Sequence, residues 1–167
     1  MPKPFDYFVV FAEMRTGSNF LETNLNAFEG IACYGEAFNP HFVGYPNKKD
    51  ILGVDLEART KDPFALIQAI RRQDGAVGGF RYFHDHDPRI LDTCLTDPRC
   101  AKIVLTRNPI DSYVSLKIAR ATGQWKLTDV RRRKEAGKIH FDKDEFRNHV
   151  ESLQAFQLLL MNPLQTT

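Results

Sequence analysis

Residues 7–12 run Tyr-Phe-Val-Val-Phe-Ala without a polar side chain, a short β-branched and aromatic stretch that suits a strand buried on both faces. A polar turn follows over residues 13–19. Apolar side chains return at Phe20, Leu21, Leu25 and Phe28, a spacing that predicts a helix with these four on one side. Residues 30–34, bounded by glycines, read as the next strand, and the polar, mixed stretch 43–60 as loop and short helix. Pro63 suits the first turn of a helix carrying Phe64, Ile67 and Ile70 as its stripe and closed by Gly75. Residues 76–83 read as a strand whose glycines permit close approach of a neighbour, residues 88–95 as a short helix, and residues 101–106 as a further strand. Pro109 then opens a helix with Ile110, Tyr113, Val114 and Ile118 on its packed side. Residues 142–161 form a last amphipathic helix, apolar at Phe146, Val150, Leu153, Phe156, Leu159 and Leu160. Strands alternating with helices predict an α/β fold, three layers with a central parallel sheet of about four or five strands flanked by helices.

Composition narrows the picture by exclusion. The 167 residues are 43% hydrophobic and 26% charged, which allows one domain with a real core and argues against disorder. A formal charge of +2 is too small to imply a polyanion partner from net balance alone, so any anion site must be local. The first residues lack the apolar core of a signal peptide and no run is long enough to span a bilayer, so a soluble, cytoplasmic protein is expected. Three cysteines without C-x-x-C spacing indicate neither a disulfide framework nor a zinc site. His84-Asp85-His86-Asp87 supplies alternating ligands without a third placed histidine, and no metal is predicted. Arg131-Arg132-Arg133-Lys134, interleaved with Asp129 and Glu135, reads either as a solvated helix face or as a patch for an anionic saccharide or phosphate. It has no interleaved aromatics, so nucleic acid is not expected as a partner.

Two places carry candidate chemistry. In the turn after the first strand, Gly17 allows a tight bend, Ser18 or Asn19 can cap the helix, and several N–H groups converge with the positive helix end on one anion site. Arg15 adds a full charge there. No Gly-Lys-Ser/Thr triplet occurs, so this is not the phosphate loop of a nucleoside triphosphatase. At the carboxyl end of the second strand Glu36 should emerge near Arg15 and is a candidate general base, kept basic by an apolar wall such as Phe38. His41 is its rival, and both remain open.

Arg15-Thr16-Gly17-Ser18-Asn19-Phe20-Leu21 resembles [RK]-[ST]-G-[ST]-[ST]-x-[LW], the donor loop of sulfotransferases that use 3′-phosphoadenosine 5′-phosphosulfate, with Asn19 replacing a Ser or Thr. Arg107-Asn108-Pro109-Ile110-Asp111 with Ser115 is similar to the family's R-[ND]-P-x-[DE]-x-x-x-S, in the expected order and at roughly the expected separation. The likeness covers most of residues 7–125 and is strongest to nodulation-type and other bacterial carbohydrate sulfotransferases. It implies a P-loop-like fold in which Arg15, Thr16, Gly17, Ser18, Asn19 and Phe20 hold the 5′-phosphosulfate while Arg107 and Ser115 hold the 3′-phosphate. The resemblance further implies that Glu36 or His41 activates a hydroxyl acceptor of the carbohydrate class, with Arg15 stabilising the leaving phosphate and no metal required. The family pattern continues beyond where this chain stops, so residues 1–167 read as one sulfotransferase-like domain without its closing segment. A second copy in a homodimer could complete it; the alternative is a catalytically inactive nucleotide-binding or interaction module.

Overall fold

The computed structural model describes residues 4–126 and 130–165, so Asp129 of the basic cluster lies outside the described residues. Its strands are β1 (Tyr7–Phe11), β2 (Ile31–Cys33), β3 (Asp50–Ile51), β4 (Val54–Asp55), β5 (Val77–Tyr82) and β6 (Cys100–Val104). Its helices are α1 (Ser18–Leu25), α2 (Leu56–Lys61), α3 (Pro63–Arg71), α4 (Leu91–Thr96), α5 (Pro109–Thr122) and α6 (Lys143–Leu164). The main sheet is four-stranded and parallel in the order β2-β5-β1-β6, and β3 with β4 forms a small antiparallel hairpin.

Every residue of β1 is buried, as its unbroken apolar run requires. Tyr7, Val9 and Phe11 face one core together with Leu66, Ile67 and Ile70 of α3, Cys94 and Leu95 of α4, and Phe156 and Leu160 of α6. Phe8, Val10 and Ala12 face a second core, closed by Leu21 and Leu25 of α1. Layers on both faces of a parallel sheet follow. Two glycines make the packing possible: a Cβ on Gly79 would lie 2.4 Å from the Phe8 ring, and one on Gly78 would lie 2.8 Å from Ile70. After β1 the chain moves toward β2 on one side, while β6 occupies the other side of β1. Where strand order reverses in this way, a crevice opens off the carboxyl ends of the strands, between the loops after β1 and β6.

Several expected positions differ. Helix α1 turns Ser18 and Glu22 fully inward with Leu21 and Leu25 beside them, which leaves Phe20 on the opposite side, 77% exposed, while Phe28 falls beyond the helix end and is also exposed. On α5 the buried stripe is Ser112, Tyr113, Leu116 and Ala119, so Ile110 and Val114 point outward. On α3 it is Leu66, Ile67 and Ile70, Phe64 is partly exposed, and the helix ends at Arg71 rather than Gly75. The stretch 43–60 contains the β3–β4 hairpin as well as α2. On α6 the inward residues are Leu153, Phe156 and Leu160, with Leu159 turned to solvent. Arg131 and Arg132 belong to a short 3-10 turn and not to a helix face. Among the described residues no helix is long and apolar enough to cross a membrane.

Gly79→Ala should therefore cost about 1–3 kcal/mol of stability by overpacking Phe8, read as a lower urea midpoint with unchanged slope.

Candidate functional site

The loop after β1 is built on one carbonyl. Glu13 O accepts from the Thr16 hydroxyl at 2.7 Å and from the Thr16 N–H at 3.2 Å, closing a tight turn. Arg15 inside it adopts φ 68°, left-handed backbone that costs a non-glycine residue about 1–3 kcal/mol, and Gly17 adopts φ 97°. Three contacts hold Arg15 there. Its carbonyl accepts from Arg107 Nη1 at 3.1 Å, its Nε donates to Ser115 Oγ at 3.0 Å, and its Nη1 donates to the Trp125 carbonyl at 2.5 Å. Gly17 is the N-cap of α1, with no side-chain capping bond, so neither Ser18 nor Asn19 caps the helix as the sequence suggested. The Ser18 hydroxyl instead accepts from Arg81 Nη1 at 3.1 Å. The backbone N–H groups of Gly17, Ser18 and Asn19 have no protein partner among the described residues, and they join the positive helix end at one spot.

These N–H groups border a cleft of about 610 Å³ lined by Arg15, Gly17, Ser18, Asn19, Phe20, Thr23, Arg107, Trp125 and Lys126. Its three cations, Arg15, Arg107 and Lys126, form no ion pair with a carboxylate among the described residues. Burial, with the charge of Arg107 added, pushes the Arg15 guanidinium below its ordinary pKa. A cleft that gathers like charges against their own repulsion and leaves N–H groups open offers an anion charge and hydrogen-bond donors together. Phe20 and Trp125 add exposed aromatic faces at its rim. Of the residues singled out in the sequence, Arg15, Gly17, Ser18, Asn19, Phe20 and Arg107 line one cleft; Thr16 bonds back to Glu13 within the loop, and Ser115 reaches the cleft through Arg15.

Glu36 stands behind the loop in a buried polar cluster. Its Oε1 lies 3.5 Å from Arg81 Nη2, its Oε2 lies 3.5 Å from His86 Nε2, and Asn39 Nδ2 donates to Oε2 at 2.9 Å. Arg59 of α2 steadies this turn by donating to the Asn39 carbonyl at 2.7 Å. Burial pushes the Glu36 carboxyl up, but His86, Arg81 and Asn39 together outweigh it and hold the pKa below the ordinary value. The apolar wall expected from Phe38 is absent: Phe38 packs on Phe80 in the core, with centroids 4.8 Å apart. His41 is exposed and its ring has no partner among the described residues; only its N–H is bound, to Asn39 Oδ1 at 2.9 Å.

Reading by motif gave no role to Arg81, Glu22 or the histidines' partners. Arg81 was legible only as a charge inside an otherwise apolar strand, and Glu22 only as a carboxylate at an inward helical position. His84 and His86 serve different acids. The Glu13 carboxylate, raised in pKa by burial, holds both oxygens 2.8 Å from His84 Nδ1, whereas His86 approaches Glu36. Among the described residues no group of three or more His, Cys, Asp or Glu side chains could hold a metal ion.

Compared with known proteins, the chain is 30% identical over 128 residues to Nodulation protein H of Rhizobium tropici, an overlap covering 75% of this chain and 50% of that protein. The chain spans about half the length of this relative. No family model matches, and no solved structure matches.

At Gly17 a Cβ would meet nothing within 4 Å, so Gly17→Ala isolates the cost of left-handed backbone. A loss of about 1–2 kcal/mol in chemical denaturation is expected.

Proposed function

We propose that this chain carries the donor site and the base of a sulfotransferase, which moves a sulfuryl group from 3′-phosphoadenosine 5′-phosphosulfate to a hydroxyl, with a carbohydrate as the acceptor class. One observation carries the reading: Arg15, Arg107 and Lys126 line a single cleft without carboxylate partners, beside the open N–H groups of residues 17–19. Both motifs that resemble the sulfotransferase family supply that cleft, and the likeness to a nodulation protein agrees with them.

In this reading the N–H groups of residues 17–19 and the Arg15 guanidinium hold the 5′-phosphosulfate. Arg107, with Ser115 positioned through Arg15, holds the 3′-phosphate by charge-assisted bonds. Phe20 and Trp125 offer faces on which a purine can stack. The acceptor oxygen bonds to sulfur as the bond from sulfur to the 5′-phosphate oxygen breaks, and that oxygen leaves with the electron pair. Arg15 and the N–H groups meet the charge that develops there. The acceptor proton passes to a Glu36 oxygen. Positioning and charge stabilisation supply most of the acceleration, as in phosphoryl transfer.

Calorimetric titration with 3′-phosphoadenosine 5′-phosphate tests the donor site. Arg15→Ala and Arg107→Ala should each weaken binding about 10- to 100-fold, the range for a lost bond to a charged group. A folded wild-type protein that does not bind the nucleotide rules the reading out, and binding without transfer to any saccharide hydroxyl assigns a nucleotide-binding module instead.

Glu36→Gln should lower kcat about 10²- to 10⁴-fold with nucleotide affinity retained. Because the Glu36 pKa lies below its ordinary 4.5, the base stays ionised as pH falls through neutrality, and the acid limb of the wild-type rate profile should lie under pH 4.5. A limb near 6.5 would assign proton removal to a histidine.

A further inference from the structure

Arg81 is 2% exposed and lies among two carboxylates and a hydroxyl drawn from α1 and the turn after β2. Its Nε stands 2.7 Å from Glu22 Oε2 on α1, its Nη1 donates to Ser18 Oγ at the loop at 3.1 Å, and its Nη2 stands 3.5 Å from Glu36 Oε1. The Phe83 ring closes over the guanidinium at 5.7 Å. Glu22 is 3% exposed, and both of its carboxylate oxygens lack an aligned hydrogen bond among the described residues. A buried carboxylate so poorly bonded is a weak stabilising device, because desolvation of both charges offsets their attraction. Its placement makes sense as orientation. By occupying the Nε edge, Glu22 leaves the other edge of the fork to the loop and to the candidate base.

We propose that Arg81 is a positioning residue, held by Glu22 so that one nitrogen braces Ser18 in the anion loop while the other fixes the carboxylate of Glu36. This rests on the sulfotransferase reading for the role of Glu36, but the arrangement itself does not. The groups facing Glu36 are Arg81, His86 and Asn39, and Glu22 is faced by Arg81 with Lys126 and Glu36 at longer range. In Glu22→Gln the guanidinium loses its strongest claim and moves onto Glu36, which weakens the base. Arg81→Lys keeps a charge but not the fork, so Ser18 and Glu36 can no longer be held together.

Carboxyl NMR titration of the intact protein, with Glu36 assigned by Glu36→Gln, is the first test. Glu36 should titrate lower in Glu22→Gln and higher in Arg81→Lys than in wild type, each by at least about half a pH unit. Steady-state kinetics and calorimetry form the second. Glu22→Gln should lower kcat about tenfold or more while 3′-phosphoadenosine 5′-phosphate affinity stays within about threefold. If both variants melt earlier but keep the Glu36 titration and kcat of wild type, Arg81 is structural and the inference is overturned. Should Glu22→Gln fail to fold, an unchanged Glu36 titration in Arg81→Lys overturns it equally. A wild-type protein that binds no nucleotide defeats the sulfotransferase reading and leaves the NMR result to decide the positioning.

Discussion

A non-glycine residue in left-handed backbone has to be held, and Arg15 is held by residues more than ninety positions away: Arg107 after β6, Ser115 on α5 and the Trp125 carbonyl. The strain and its restraints explain why the site exists only in the folded sheet. β6 must pair with β1 for Arg107 to reach the Arg15 carbonyl, and α5 must dock for Ser115 to receive the guanidinium. The loop's N–H groups are left open because the backbone that would otherwise satisfy them is turned away by the bends at Arg15 and Gly17.

Two kinds of positive charge result. Arg15, Arg107 and Lys126 reach a wide cleft and lack anionic partners among the described residues, whereas Arg81 is enclosed with Glu22 and Glu36. Ser18 belongs to both, its hydroxyl bound to Arg81 while its N–H, without a protein partner among the described residues, borders the cleft. Unpaired charge is suited to capture a ligand and paired charge to fix a side chain.

Much of this was legible in the chain. The apolar run at Tyr7–Phe11, the turn chemistry at Gly17 and the Asn108-Pro109 start of α5 are local signals, and local physics obeys them. Helix faces were harder. Phe20, Ile110 and Val114 look like core by hydrophobicity, yet α1 and α5 turn Ser18, Glu22 and Ser112 inward because the neighbours supply Arg81 and His149 for hydrogen bonding or charge pairing. A pattern that counts apolar residues cannot register a buried polar partner contributed by another element. The same blindness put an apolar wall beside Glu36, where the fold places a guanidinium, an imidazole and an amide.

The division between open and enclosed charge means that dissolved ions act on the two halves of the site differently. At physiological ionic strength the Debye length is about 8 Å, so the cleft cations, wetted on one side, lose reach as salt rises. Arg81 and Glu22, at 2% and 3% exposure, are closed to the counterion atmosphere and keep their attraction. On the proposed function, ionic strength is thus a dial for the capture of an anion that leaves the Arg81–Glu22 pair untouched.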